Sequence, residues 1–392
     1  MSGPLVVRSG AVVTVDGEEP ADVVVEDGLI AALRPPGSVA TGGTRVLDAE
    51  GGYVAPGFID VQVNGAHGHD LTASPERVVD VAAALVRYGV TAFCPTIITS
   101  PPETVARAMA AVAALGADPL GPVPAGGGAR VLGLHVEGPM LSPDHPGTHP
   151  RRHLRPPDPT LVEGWSPSAG VRLVTLAPEL DGALDVVDRL VQRGVVVSAG
   201  HTGATAAQLE EAADRGVRMV THLFNAMTPL HHREPGVPGA ALVDDRLVAG
   251  VIADGIHVDP RVVRLLWRAK GPAGVVAVTD TTAALGAPPG ALRIGDVELT
   301  VGPDGVRNHR GQLAGSDLSL DRAVRNLRTW TGCSVADAIR TVTANPADLL
   351  GLPTGRIAVG APADLVVLDP DLHVVETIVA GVRQPAPTST GA

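Results

Sequence analysis

The chain predicts an α/β fold: a (β/α)8 TIM-like barrel with a small β-sandwich domain formed from both chain ends. Three observations predict it. Eight short, nearly continuous apolar runs recur through the middle of the chain, helix-like segments lie between most of them, and both ends carry β-branched hairpin patterns instead. Apolar strands that alternate with helices are parallel and buried on both faces. Eight of them close a barrel, with a doubly wound open sheet as the rival arrangement.

The elements follow in order. Residues 1–55 read as short strands, with Asp16-Gly17 and Asp27-Gly28 as hairpin turns between β-branched runs. The barrel is expected over 56–359. Its apolar runs are FIDVQVNG (58–65), VTAFCPTII (90–98), ARVLGLHVEG (129–138), VRLVTLAPE (171–179), VVVSAGH (195–201), MVTHLFNAM (219–227), LVAGVIADGIH (247–257) and GVVAVTDT (274–281). Between the first two, PERVVDVAAALVRYG reads as a helix with Ser74 as N-cap, Pro75 at the first helical position and Gly89 past its end. TAAQLEEAADRG opens on a capping-box pattern, Thr205 to Gln208, and closes on Gly216. Residues 360–384 return to strand-like runs and are expected to pair with 1–55 in one small β domain. The polar tail 385–392 is expected to be disordered.

Composition narrows the function. Gly and Pro together make about a fifth of the chain, but a hydrophobic share of 45% is ample for a large core. With only eight aromatic residues, a base-stacking surface is not expected. A formal net charge of -12 repels phosphate backbones and anionic lipid, so neither a nucleic acid nor a membrane is the expected partner, and an anionic small substrate would need a local basic cluster. Two cysteines, Cys94 and Cys333, make no disulfide framework and no cysteine-based zinc site, and Cys94 reads as a buried free thiol. The N-terminal MSGPLVVRSGAVVTVDG lacks a basic start followed by an apolar core, and no run of 18 apolar residues exists. A soluble, cytoplasmic protein is expected.

Barrel chemistry sits at the C-terminal ends of the strands. There the runs end in His135-Val136-Glu137, in His201, in His222 followed by Asn225, in Asp254-Gly255-Ile256-His257 and in Asp280. Glu137, His201 and His222 form a two-histidine, one-carboxylate set, the usual protein complement of a hydrolytic zinc site whose fourth ligand is water. Such a metal lowers the pKa of its water to roughly 7. Asp280 could take that proton and deliver it to a leaving amine. Taken singly, each residue is better explained as a hydrogen-bonded structural group; the convergence of four on separate strand ends favours a site.

At this point the chain resembles the amidohydrolase superfamily and, within it, the N-acetylglucosamine-6-phosphate deacetylases. The matching motifs are PGFIDVQVNG (56–65), LGLHVEGP (132–139), GTH (147–149), SAGHTGAT (198–205), THLFNAM (221–227), REPG (233–236), ADGIHV (253–258), VTDTTAALG (278–286) and LAGSDLSL (313–320), in order and across nearly the whole barrel. The resemblance implies hydrolysis of the acetamide of N-acetylglucosamine 6-phosphate to glucosamine 6-phosphate and acetate. It implies Glu137, His201 and His222 as metal ligands, Asp280 as general base and then acid, and His149 as the group that polarises the carbonyl. It implies substrate contacts at Thr148, Asn225, Ala226, His257, Leu313, Ala314 and Gly315, and at Arg233 on the phosphate. That arginine is donated across a subunit interface in the family, so a homodimer is implied, with Arg233 reaching the partner's site.

One departure matters. Most amidohydrolases carry His-x-His at the end of the first barrel strand, where this chain has Gln62-Val63-Asn64. Amides are poor metal ligands beside imidazole, so one divalent metal per chain is expected, Zn2+ with Fe2+ as the alternative. His67 and His69 leave a displaced second site open. The alternatives are the galacto epimer as substrate, a cyclic-amide hydrolase or dipeptidase, and a catalytically dead relative serving in assembly. The second needs a carboxylated lysine or a full two-metal site, and Lys270 follows a helix, not a strand end. The third normally loses the metal ligands that this chain keeps.

Overall fold

The structure, a computed structural model, describes residues 4–40, 42–116, 120, 123–124, 126–288 and 291–385. Eight parallel strands form its centre. They are β1 (Phe58–Val63), β2 (Val90–Ile98), β3 (Leu134–Glu137), β4 (Val171–Leu176), β5 (Val196–Ala199), β6 (Val217–Val220), β7 (Val248–Ile252) and β8 (Val275–Val278). Each pairs in parallel with the next. The ring closes just past the ends of β8 and β1, where the Asp280 amide donates to the Gln62 carbonyl at 3.0 Å and the Asn64 amide to the Thr281 carbonyl at 2.8 Å. Every residue of β1 and β2 is buried, as expected for strands covered on both faces.

The helices return the chain between strands. Ala206–Arg215, between β5 and β6, has the full capping box at Thr205 and Gln208 and stops on Gly216 at φ 113°. The helix before β2 begins differently from expectation. A single 3-10 turn, Pro75–Arg77, precedes the α-helix Val78–Leu85, and the Ser74 side chain makes no capping bond. Gly89 does end the segment, at φ 81°.

Both chain ends meet in one sheet. Val382–Arg383, Val374–Val379 and Leu365–Leu368 from the C-terminal part continue into Tyr53–Pro56, Ala11–Thr14 and Gly17–Pro20 from the N-terminal part. A four-stranded sheet of Leu29–Arg34, Asp22–Glu26, Leu5–Arg8 and Arg45–Asp48 packs on it, around Leu5, Val7, Val12, Ile30, Val54, Leu365, Val367 and Ile378. The expected tail, residue 385 apart, lies outside the described residues.

The structure adds a sheet that the strand–helix count passes over. Leu292–Ile294, Val297–Gly302 and Gly305–Asn308 form an antiparallel three-stranded sheet between β8 and the helix Leu320–Thr331. Its small core joins Ile294, Leu299 and Val306 to Ile98, Ala284 and Ala314, so it stands on the C-terminal rim of the barrel.

A buried ion pair ties barrel to sandwich. Arg130, just before β3, reaches Asp364 through Nε at 3.1 Å and Nη2 at 3.4 Å, both side chains are 5% exposed, and Asp364 Oδ1 also accepts the Ala380 amide at 2.7 Å. Removing one partner of such a pair leaves a buried, uncompensated charge, at a cost of about 3–5 kcal/mol. Arg130→Met is therefore expected to lower the unfolding free energy by that amount in urea titrations; a change within about 0.5 kcal/mol, the range of neutral surface substitutions, would contradict the pairing.

Candidate active site

A cavity of about 380 Å³ opens at the C-terminal rim. Glu137, from the last position of β3, lies at its floor, and His201 and His222 stand just past β5 and β6. Glu137 Oε1 is 3.2 Å from His201 Nε2 and 3.2 Å from His222 Nε2, and the two imidazole nitrogens are 3.1 Å apart. Donors bound about 2.0–2.2 Å from one tetrahedral ion lie roughly 3.3 Å from each other, so this triangle has the size of a coordination face. The donor set also fits. His201 Nδ1 is positioned to donate to the His145 carbonyl at 3.1 Å, which leaves the Nε2 lone pair facing the cavity. Among the described residues this is the one group of three such side chains with metal-binding spacing.

Backbone conformation aims these groups inward. His201, His222 and Asp280 have φ values of 50°, 32° and 49°. Non-glycine residues seldom occupy this left-handed region, and such strain concentrates at functional sites.

The electrostatics are set by one carboxylate among imidazoles. Burial works to raise the pKa of Glu137, but hydrogen bonds from His149, His201 and His222 outweigh it and hold the group well below the usual carboxylate range. Burial, with the charge of His149, pushes His201 down to about 4. Burial opposes protonation of His222 too, but Glu137 and Asp280 outweigh it there and raise its pKa. Binding of a divalent cation by these three groups requires both facing nitrogens to be deprotonated, so metal affinity at such a site falls as pH falls.

Asp280 lies beside this centre. Burial and the charge of Glu137 push its carboxyl up to about 6. Its Oδ1 accepts from Asn64 Nδ2 at 2.7 Å and from Gln62 Nε2 at 3.2 Å, and the same Gln62 amide lies 3.2 Å from Glu137 Oε1. The Gln62-Val63-Asn64 segment thus supplies hydrogen-bond donors to two carboxylates where a His-x-His would supply metal ligands. His67 pairs with the Tyr88 hydroxyl at 3.1 Å and joins no metal-type group among the described residues.

His149 is fixed by a residue that the sequence reading passed over. The Thr99 amide donates to His149 Nδ1 at 3.2 Å and the Thr99 hydroxyl lies 2.9 Å from the same nitrogen, an arrangement that assigns Nδ1 as the acceptor and the proton to Nε2. That N–H lies 3.6 Å from Glu137 Oε2 and is a donor available to a carbonyl oxygen in the cavity. His257 Nδ1 is held by Asp254 Oδ2 at 2.6 Å, so its Nε2 faces the ligand space.

The remaining sequence candidates divide. Thr148, Asn225, Ala226, His257, Leu313 and Gly315 line the cavity. Gly315 sits at φ 62°, and a Cβ there would lie 2.8 Å from the Asp280 carbonyl, so no larger residue fits without moving the seam. The Ala314 side chain does not line the cavity: it is fully buried in the core of the added sheet. Arg233 is also outside the wall of the single chain. It is exposed and pairs with His232 Nε2 at 2.8 Å. Arg151, Arg310 and Gln312, absent from the sequence candidates, do line the cavity.

The amidohydrolase family profile matches residues 53–389. The human N-acetylglucosamine-6-phosphate deacetylase is 42% identical over 355 residues, covering 85% of this chain and 84% of the relative. The Lysinibacillus sphaericus enzyme of that name is 34% identical over 382 residues, covering 96% and 97%. The structure of a mutant N-acetyl-D-glucosamine-6-phosphate deacetylase from Mycobacterium smegmatis, in complex with N-acetyl-D-glucosamine 6-phosphate, superposes with a TM-score of 0.88 at 33% identity, over 97% of this chain and 98% of that one. The chain belongs to the amidohydrolase family and, within it, to the family of N-acetylglucosamine-6-phosphate deacetylases.

Two substitutions separate ligands from supports. His222→Ala removes one of the three donors and is expected to bring bound divalent metal, read by elemental analysis, close to zero in a protein of unchanged circular dichroism. Asn64→Ala removes only a hydrogen bond to Asp280 and is expected to keep the metal. Equal metal content in both variants would contradict the assignment.

Proposed function

We propose that the chain hydrolyses the acetamide of N-acetylglucosamine 6-phosphate, releasing acetate and glucosamine 6-phosphate. The observation that carries this reading is the meeting of the Glu137–His201–His222 triad with a separately held, buried Asp280 in one cavity, within a chain whose relatives at 34–42% identity bear that deacetylase name.

One divalent metal per chain, held by Glu137, His201 and His222, supplies Lewis-acid activation of water and of the carbonyl when bound. Zn2+ suits two imidazoles and a carboxylate, and Fe2+ suits them as well. The chain's own groups move the protons. Asp280, held through Oδ1 by Asn64 and Gln62, takes a proton from the attacking water and later gives it to the leaving amine nitrogen. The His149 Nε2–H donates to the acetyl oxygen as charge develops there. Asn225, Ala226, His257, Thr148, Leu313 and Gly315 hold the sugar. Water adds across the C–N bond, so acetate and the free amine leave with no other co-reactant.

Arg233 completes the reading as a phosphate ligand across a homodimer, because its exposed loop lies outside the cavity of its own chain. A cytoplasmic setting accords with two free cysteines, Cys94 buried with its thiol pushed up to about 12 by desolvation. No helix among the described residues is long and apolar enough to cross a membrane.

General acid–base assistance is worth about 10²–10⁴-fold. Asp280→Asn should therefore lose at least that factor in acetate release from N-acetylglucosamine 6-phosphate while retaining its metal. Near-normal turnover by that variant would refute the mechanism.

A further inference from the structure

One fully buried carboxyl has no part in these roles. Asp60, at the third position of β1, is closed to solvent and is not among the residues that line the cavity. Among the described residues it has no basic partner. Burial pushes its carboxyl up to about 7, and the charge of Asp280 adds to the rise. An unpaired carboxylate at such depth is costly.

Its bonds all go to the chain around Asp280. Oδ2 accepts the Thr279 hydroxyl at 2.6 Å, and Oδ1 accepts the amides of Gln62 at 3.2 Å and Thr279 at 3.4 Å. The Thr279 hydroxyl oxygen in turn accepts the Thr281 amide at 3.1 Å, and the Thr279 carbonyl accepts the Ser316 hydroxyl at 2.6 Å. Asp280 is thus spanned: the residue before it is fastened to Asp60, and the residue after it to that same hydroxyl. Between them Asp280 keeps its φ of 49°, a conformation that persists only where its surroundings impose it. Within β1 the same carboxyl fixes the amide of Gln62, whose side chain donates to Asp280 Oδ1 at 3.2 Å. The seam is already joined by the main-chain bonds from Asp280 to Gln62 and from Asn64 to Thr281. The Asp60–Thr279 contact adds a fixed course for the turn at Asp280.

We propose that Asp60 is a positioning residue for the reaction: through the Thr279 hydroxyl it braces the left-handed turn that presents the Asp280 carboxyl to the cavity. This rests on the proposed role of Asp280 as proton carrier.

The test is steady-state acetate release from N-acetylglucosamine 6-phosphate, with metal content and circular dichroism measured on every variant. Asp60→Asn has one acceptor oxygen where the carboxylate has two, so one side of the brace is lost. Thr279→Val removes the hydroxyl at nearly constant volume. Each is expected to lower kcat by roughly 10- to 100-fold with KM within about threefold of native, the signature of a misplaced reacting group rather than of lost substrate binding. Metal content should be native in both. The double variant should be no more than about threefold slower than the slower single one, because both substitutions break one contact. Thr279→Ser, which keeps the hydroxyl, should recover most of what Thr279→Val loses. Near-native kcat in the single variants, or losses that multiply in the double variant, would overturn the brace. So would a fall in metal content or in native circular dichroism that matches the fall in kcat. Asp280→Asn in the same assay separates the two readings. Near-normal turnover there would refute the proton carrier and the brace with it, whereas a crippled Asp280→Asn beside a near-native Asp60→Asn would overturn the brace alone.

Discussion

One buried carboxylate organises the site. Glu137 is sealed from solvent, and alone that would cost a carboxylate several kcal/mol. Two imidazole nitrogens and the Gln62 amide surround its Oε1, and the His149 N–H faces its Oε2. Each partner comes from a different point on the ring of strands. The charge is tolerable only when the barrel is closed and every loop is in place, so the fold is bound to the chemistry through this group.

The seam of the barrel does the second part. A parallel sheet could end at β8 with Asp280 at an open edge. Instead β8 meets β1, and the closure brings the amides of Gln62 and Asn64 against the Asp280 carboxyl. The same two side chains that cannot serve as strong metal ligands thereby hold the proposed proton carrier beside the three side chains that could bind a metal. In this chain the end of the first strand supplies hydrogen-bond donors to Asp280 and Glu137.

The legibility of the sequence follows from these geometries. Glu137, His201, His222 and Asp280 could be read because a buried parallel strand is a plain apolar run, and the polar residue that ends it stands out. Thr99 could not, since a threonine after an apolar run carries no mark of its partner, and only the fold brings its amide and hydroxyl to His149, 50 residues on. The sheet over 292–308 left a signal in its alternating residues and its Pro303-Asp304-Gly305 turn, but counting strands and helices for a barrel absorbed it. Arg151 and Arg310 lie in polar loops far apart in sequence, and only the docking of that sheet brings them to one wall. Ala314 stands between motif neighbours that line the cavity, Leu313 and Gly315, while its own side chain lies in the core of the added sheet, a distinction the motif alone does not carry.

The central claim is that a single metal at Glu137, His201 and His222 serves a proton carrier that is not itself a ligand. The most direct test is a metal titration of the chelator-stripped protein, following acetate release from N-acetylglucosamine 6-phosphate. The account predicts that activity disappears on stripping and returns in full at about one equivalent of Zn2+ or Fe2+ per chain. Activity indifferent to stripping, or recovery only at about two equivalents, would contradict it.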